Sequence, residues 1–309
     1  MTQILVSVVI CTYNREKYLA RCLESIKKQS HTNYEIIVVN GPSTDETDAL
    51  LSMYPDIKKI PQKSLNGLSF ARNLGIRAAR GEIIAFIDDD AIADLFWLEH
   101  LVEGFKDSSV GGVGGPVFDI TGHWHQFKCG YISKAGIPTF LNEKDPDYNN
   151  PDGPYFNYIM GTNSSFRKNI LYEIGLFDEN YRYYLDETDV CVNIIKKGYK
   201  IKHIDTAVVL HEMAESHNRT SPYDINYTEI LKNTIYFILK NFGSEKKSHT
   251  LFPISAVWYW IKIDMIHFRY HRITFKQFVT ILINILIGLV RGYRLGLRTN
   301  ATLRQRSQL

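Results

Sequence analysis

Apolar residues in the first part of the chain fall into short unbroken runs separated by amphipathic stretches. Ile4 to Ile10 is one run, Tyr34 to Asn40 a second, and Ile83 to Ile87 a third. Runs of this length without polar alternation predict strands buried on both faces, as in a parallel sheet. After the first run, Tyr18, Leu19, Cys22, Leu23 and Ile26 recur at spacings of three and four, which predicts a helix. Ser43, Thr44 and Asp45, just beyond the second run, are suited to cap another helix. The stretch Gly67 to Gly75 leads a further helix into the Ile83 strand. Alternating strands and helices of this kind predict an α/β fold with a mostly parallel central sheet.

The Ile83 strand stops abruptly at Asp88-Asp89-Asp90. Parallel sheets bind ligands at the carboxyl ends of their strands. Three adjacent acids there repel one another unless a cation is present, and Mg2+ or Mn2+ takes carboxylate and phosphate oxygens together. The competing reading is an acidic cap on a helix that begins near Asp94. A second acidic cluster, Asp186-Glu187-Thr188-Asp189, precedes a helical pattern through Val190, Val192, Ile194 and Ile195 that ends at Gly198. The helix dipole favours carboxylates at that end, but it does not require three. His211 follows the apolar run Ala207 to Leu210 and is either a metal ligand or a structural residue. Between these landmarks, Thr121 to Tyr155 shows no regular pattern. It holds His123-Trp124-His125 and Pro146-Asp147, which suits a functional lid. The two histidines lack a nearby Cys or third His to complete a zinc site.

Seven segments are ordered and spaced in a way that resembles the family 2 glycosyltransferases, which have the GT-A fold. They are Val8 to Asn14, Val38 to Asp45, Ala71-Arg72-Asn73, Asp88 to Asp90, Gly161 to Phe166, Gly175 to Asp178 and Asp186 to Val190. The resemblance covers about residues 4 to 215. It implies a catalytic domain over residues 1–220, with a donor-binding half (1–118) and an acceptor half (119–220), and a helical, membrane-associated region over 221–309.

The resemblance also implies roles. Thr12, Tyr13 and Asn40 fall at the nucleotide pocket. Asn40 stands where an Asp is usual, so a UDP-sugar and a dTDP-sugar both remain open, as does a plain turn role before Gly41-Pro42. Arg72 faces the diphosphate or pairs with a carboxylate. Asp90 is the direct metal ligand, Asp88 faces the ribose or the metal, and Asp89 can do either. His211 is a further ligand for Mn2+ or Mg2+. Glu187 occupies the position of the base that deprotonates the acceptor hydroxyl, with Asp186 as second candidate. Asp189 holds the helix start or an acceptor hydroxyl, and Trp124 belongs to the acceptor side. A single displacement of this kind inverts the anomeric centre.

Charge sharpens the picture at the C-terminus. The chain of 309 residues has net charge +3, which implies no nucleic-acid partner. From Lys262 onward there are nine Lys/Arg against Asp264 alone, leaving 27 basic and 32 acidic residues in the rest. A basic tail on an acidic body suits an anionic surface. Leu251 to Ile261, with Trp258, Tyr259 and Trp260, and Gln277 to Val290, between Lys276 and Arg291, are apolar segments with aromatic or basic borders. Each is short for a membrane span, so the expectation is peripheral attachment at the cytoplasmic face, beside a lipid-linked or glycan acceptor. Cys11, Cys22, Cys129 and Cys191 read as reduced thiols of a cytosolic protein, and no signal peptide is visible.

Three other readings compete. A sugar nucleotidyltransferase would carry a Gly-rich phosphate loop after the first strand, where this chain has Thr12-Tyr13-Asn14-Arg15. A haloacid-dehalogenase-like phosphatase would place its Asp-x-Asp after the first strand, not a later one. A non-catalytic nucleotide-sugar-binding protein has no need of two intact acidic clusters.

Overall fold

The computed structural model describes residues 4–139, 148–214 and 226–306. The expected boundary at residue 220 and the Pro146-Asp147 pair lie outside these residues. Residues 4–130 and 148–214 form one compact unit, and 131–139 with 226–306 form a second.

The first unit is built on strand β1 (Val6–Thr12), helix α1 (Glu16–Lys27), β2 (Tyr34–Asn40), α2 (Thr47–Ser52), β3 (Lys58–Pro61), α3 (Leu68–Ala78), β4 (Ile83–Ile87), β5 (Ala91–Ala93), α4 (Trp97–Gly104), β6 (Val110–Gly114) and β7 (Val117–Asp119). It continues through β8 (His125–Phe127), β9 (Gly130–Ser133), β10 (Pro138–Thr139), β11 (Tyr155–Tyr158), β12 (Asn163–Arg167), α5 (Lys168–Glu173), α6 (Asp186–Lys196), β13 (Lys200–His203) and β14 (Val209–His211), of which the β9–β10 hairpin belongs to the second unit.

Seven strands form the main sheet in the order β13-β6-β12-β4-β1-β2-β3. β1 pairs in parallel with β2 on one side and β4 on the other, so Val9 lies opposite both Ile37 and Phe86. β12 alone runs against its neighbours β4 and β6. Strand order reverses between β1 and β4, and such a reversal opens a crevice at the carboxyl ends of the two strands. α1 covers one face with Leu19, Cys22, Leu23 and Ile26, all fully buried against Val8, Ile10 and Val38. On the other side α3 comes so close to β1 that a Cβ on Gly75 would sit 2.3 Å from a Val9 methyl.

A smaller sheet has the order β5-β14-β7-β8. Its antiparallel β5–β14 register sets His211 opposite Ala91, the residue after the acidic triplet. The stretch Thr121 to Tyr155 is therefore not devoid of regular structure. It contains β8, β9 and β10, strands of two to four residues that are too short to show a period. The helix expected near Asp94 starts at Trp97, because β5 intervenes and Asp94 instead accepts from the Phe96 amide at 2.9 Å.

The second unit contains α7 (Tyr227–Phe242), α8 (Leu251–Arg269) and α9 (Phe275–Arg306). Gly288, Gly292 and Gly296 recur every fourth residue on α9 and press against α7. A Cβ on each would lie within 2.6–2.7 Å of Thr228 O, Ile235 Cβ or Leu239 Cβ, respectively. Within α9, the 26 residues Phe275–Asn300 are long and apolar enough, by length and composition, to cross a membrane. The apolar run read from the sequence ended at Val290, but the helix continues, because Gly292, Gly296 and Asn300 extend its contact with α7.

We expect Gly75→Val to cost about 1–3 kcal/mol of stability, the usual penalty of overpacking. Urea denaturation of the full chain measures it, and a midpoint equal to wild type would mean that α3 has room to retreat.

Candidate active site

The carboxyl ends of β1 and β4 bring together the acids singled out in the sequence. Asp88 Oδ2 accepts from Thr162 Oγ1 at 2.5 Å, which anchors it to the turn before β12. Asp90 Oδ1 lies 3.1 Å from His211 Nε2, and Asp88 Oδ2 lies 4.0 Å from the same nitrogen. One ligand atom from each of Asp88, Asp90 and His211 falls within 4.8 Å of the others, a group able to hold a metal ion.

The proton on His211 can be placed from its neighbours. Gln126 Nε2 donates to the His211 carbonyl at 2.8 Å, since a carbonyl can only accept. That turns Gln126 Oε1 toward His211 Nδ1, also at 2.8 Å, so Nδ1 must carry the proton. Nε2 is then the nitrogen that faces the two carboxylates: it donates to Asp90 when the ring is protonated, and offers a lone pair to a cation once that proton is released. An imidazole held this way by its other nitrogen is a usual metal-ligand arrangement, and the donor set fits a divalent cation.

Asp89 points elsewhere. It is buried and bonded to Arg15 Nη1 at 3.0 Å. Burial pushes its carboxyl up to about 7, with Arg15 pulling the other way and the charge of Asp90 adding to the rise. Burial acts on Asp90 too, but His211 and Arg15 outweigh it and hold this carboxyl well below the ordinary range.

The second cluster opens α6. Tyr184 and Leu185 both take φ +67°, a left-handed conformation that is costly for such residues and turns the chain sharply into the helix. Asp186 is buried and receives Arg72 Nη1 at 2.6 Å. Glu187 stays 18 % exposed, 3.8 Å from the same nitrogen. Burial and the charge of Asp186 raise the Glu187 carboxyl well above its usual value, with Arg72 opposing. Arg72 also lies 4.0 Å from Asp88, so one guanidinium stands between the two acidic clusters. It is sandwiched near Phe86 and Phe177 and covered by Gly161, where a Cβ would come within 2.4 Å of Nη2. Of the two options left open for Arg72, the geometry displays carboxylate pairing.

The remaining candidates divide. Asp189 is buried, accepts from Tyr181 at 3.2 Å and braces Asn193, which occupies it inside the helix start. Trp124 is 76 % exposed at the tip of a turn whose amides are gathered by Asp119. Thr12 is buried at the end of β1. Tyr13 packs over Gly41, where a Cβ would meet its ring at 3.0 Å. Asn40 donates to Asp48 at 2.7 Å and accepts from Ser43 at 2.8 Å, so its amide is engaged in the turn. Asn14 bonds both Ser43 and the Thr44 amide, which laces the loops after β1 and β2 together. Arg15, Thr162 and Gln126 were not singled out from the sequence. Arg15 and Thr162 lie within or beside quoted motifs, whereas Gln126 offered no signal. None of the four cysteines is in a disulfide, and burial pushes the Cys11 thiol up to about 12, which leaves it a poor nucleophile.

This chain belongs to the glycosyl transferase family 2, whose sequence model matches residues 7–175. It is 28 % identical over 233 residues to a glucosyl-dolichyl phosphate glucuronosyltransferase of Haloferax volcanii, covering 68 % of this chain and 70 % of that one. It is also 28 % identical over 202 residues to the glycosyltransferase GlyG of Streptococcus pneumoniae, covering 59 % of this chain and 65 % of that one. Among solved structures it resembles the mannosyltransferase PcManGT of Pyrobaculum calidifontis, in complex with GDP-Man and Mn2+. There the TM-score is 0.58 at 16 % identity, over 93 % of this chain and 86 % of that one. It also resembles GalNAc-T7 with UDP, GalNAc and Mn2+, with TM-score 0.60 at 18 % identity over 77 % and 48 % of the two chains. At such identities the structural likeness establishes the GT-A fold, and the family makes the protein a glycosyltransferase.

We expect Arg72→Met to destabilise the protein by about 3–5 kcal/mol, because it strands a buried carboxylate. Adding Asp186→Asn should restore part of that loss. Denaturant unfolding of both variants tests the coupling, and purely additive losses would show that the pair does not interact.

Proposed function

We propose that the protein is an inverting, divalent-cation-dependent glycosyltransferase. Its donor is a UDP- or dTDP-sugar and its acceptor a hydroxyl of a lipid-linked or glycan substrate. The observation that carries this reading is the division of the acids around Arg72. Asp88, Asp90 and His211 stand on one side as a cation group, and Asp186 and Glu187 stand on the other as neighbouring carboxylates. The nucleotides and Mn2+ bound by PcManGT and GalNAc-T7 support the cation and the nucleotide-sugar donor in this reading, and the dolichyl phosphate in the name of the Haloferax relative supports a lipid-linked acceptor.

In this reading Asp88, Asp90 and His211 would hold Mn2+ or Mg2+, which as a Lewis acid would stabilise the charge on the departing diphosphate. The Tyr13–Gly41 face and the laced loops around Asn40 receive the nucleotide. Glu187 takes the proton of the acceptor hydroxyl. It keeps solvent access and a raised pKa, whereas Asp186 is buried and neutralised by Arg72. A base with a raised pKa holds its abstracted proton better near neutral pH. One attack by the acceptor oxygen on the anomeric carbon, with loss of the nucleoside diphosphate, inverts the centre.

Glu187→Gln should lower kcat by about 100-fold or more with donor affinity retained, the usual scale for loss of a general base. Wild-type kcat should rise with pH through an apparent pKa above the ordinary carboxylate value, since only the deprotonated form accepts a proton. A large loss in Asp186→Asn without one in Glu187→Gln would move the base by one residue. Product NMR that shows a retained anomeric configuration would reject the single displacement.

Attachment to the cytoplasmic face of a membrane completes the reading, and the apolar exposed face of the second unit supports it. Trp258, Ile283, Leu286 and Val290 are each about half or more exposed. Arg291, Arg294 and Arg298 follow on the same helix, and basic groups beside such a face attract anionic lipid. We expect full-length protein to float with anionic liposomes, less so in high salt, and the combined change of Ile283, Leu286 and Val290 to Asp to abolish flotation. Equal flotation of the two proteins would refute attachment through this face, and resistance to carbonate extraction would show insertion instead of peripheral binding.

A further inference from the structure

Among the described residues Arg15 is the guanidinium closest to the proposed metal group, and neither the sequence motifs nor the family resemblance gave it a role. Its Nη1 bonds Asp90 Oδ2 at 2.7 Å and Asp89 Oδ1 at 3.0 Å. Its Nη2 bonds the carbonyl of Ala214 at 3.0 Å. The amide of Ala214 in turn donates to Asp90 Oδ2 at 2.9 Å. One carboxylate oxygen of Asp90 therefore carries two donors, and the other, Oδ1, faces His211 Nε2. The guanidinium side chain is only 12 % exposed and lies 5.7 Å from the centre of the Tyr18 ring, so its own freedom is small.

Arg15 does not stand where a cation would. It occupies Oδ2, whereas the oxygen shared with His211 and Asp88 is Oδ1. We infer that Arg15 is a positioning residue: it fixes Asp90 so that a single oxygen, Oδ1, is presented to the divalent cation beside His211 and Asp88. The fork is necessary because three separate acceptors, Asp89, Asp90 and the Ala214 carbonyl, must be met from one planar group. A lysine keeps the charge but offers one ammonium point, and cannot span all three. Asp89 then has a use of its own. It is the second acceptor that holds the guanidinium in plane, instead of a third metal ligand.

A pure charge effect predicts a different outcome. If Arg15 acted only as a nearby positive charge it would repel the cation, so Arg15→Gln would tighten Mn2+ binding and Arg15→Lys would change nothing. Positioning predicts that both weaken it, by about 10-fold or more, the scale of losing a residue that orients a metal ligand. The inference rests on the cation-site reading above, so Asp90→Asn serves as the control.

The test is titration of the full chain with Mn2+ alone, reading free Mn2+ by electron paramagnetic resonance, with circular dichroism to confirm folding. Should Arg15→Gln fail to fold, Arg15→Gln with Asp89→Asn removes both charges of the pair and is read instead. Expected is Mn2+ binding weakened by about 10-fold or more in both Arg15→Lys and Arg15→Gln, with the circular dichroism of wild type. Wild-type affinity in Arg15→Lys, or tighter binding in Arg15→Gln, would overturn the positioning role while leaving the site intact. Equal binding by wild type and Asp90→Asn would remove the site itself, and the inference with it.

Discussion

Among the described residues, five carboxylates, Asp88, Asp89, Asp90, Asp186 and Glu187, meet two guanidinium groups, Arg15 and Arg72, near the carboxyl ends of β1 and β4. Most of these groups are buried, where like charges are screened poorly and an unpaired ion is costly. The rest of the structure is arranged around that surplus. Arg15 neutralises Asp89 and half of Asp90. Arg72 neutralises Asp186 and reaches toward Asp88 and Glu187. What remains is negative charge at Asp88 and Asp90 next to the Nε2 of His211, and a carboxyl at Glu187 that resists ionisation. The first suits a divalent cation with a diphosphate, and the second suits a proton acceptor.

The scaffold allows this concentration of charge because parallel strands end together. β1 and β4 are in register, so the loops after Thr12 and Ile87 emerge side by side. Gly75 lets α3 lie close to β1, and Gly161 leaves space for the Arg72 guanidinium that α3 carries. β12 then runs back along β4 and supplies Thr162 from its leading turn. β14 delivers His211 by pairing with β5, the strand that continues directly from the acids. The site is thus a product of strand register, with few of its contacts depending on long flexible loops.

Much of this was legible in the sequence. The apolar runs at Ile4 to Ile10, Tyr34 to Asn40 and Ile83 to Ile87 announced buried parallel strands, and the switch from Ile87 to three acids marked the ligand end. The partners of those acids were not legible. Nothing in the spacing of Arg15, Asp186 and Ala214 shows that they meet Asp89, Arg72 and Asp90, because those contacts close loops of 74 to 124 residues. Short strands such as β8, which brings Gln126 to His211, have too few residues to leave a period. The length of α9 was hidden for another reason. Glycine lowers both helix propensity and apparent hydrophobicity, yet at residues 288, 292 and 296 it is what permits the close packing on α7.

The central claim is that a divalent cation, held by Asp88, Asp90 and His211, is what lets this acidic crevice accept a nucleotide diphosphate. Thermal unfolding of the full chain with a panel of nucleotide sugars, in Mn2+ and in EDTA, tests it most directly. A ligand that binds the native state raises the apparent Tm. The account predicts that at least one UDP- or dTDP-sugar raises Tm in Mn2+ alone, and that His211→Ala removes the shift. The same rise in EDTA, or an undiminished rise in His211→Ala, would contradict it.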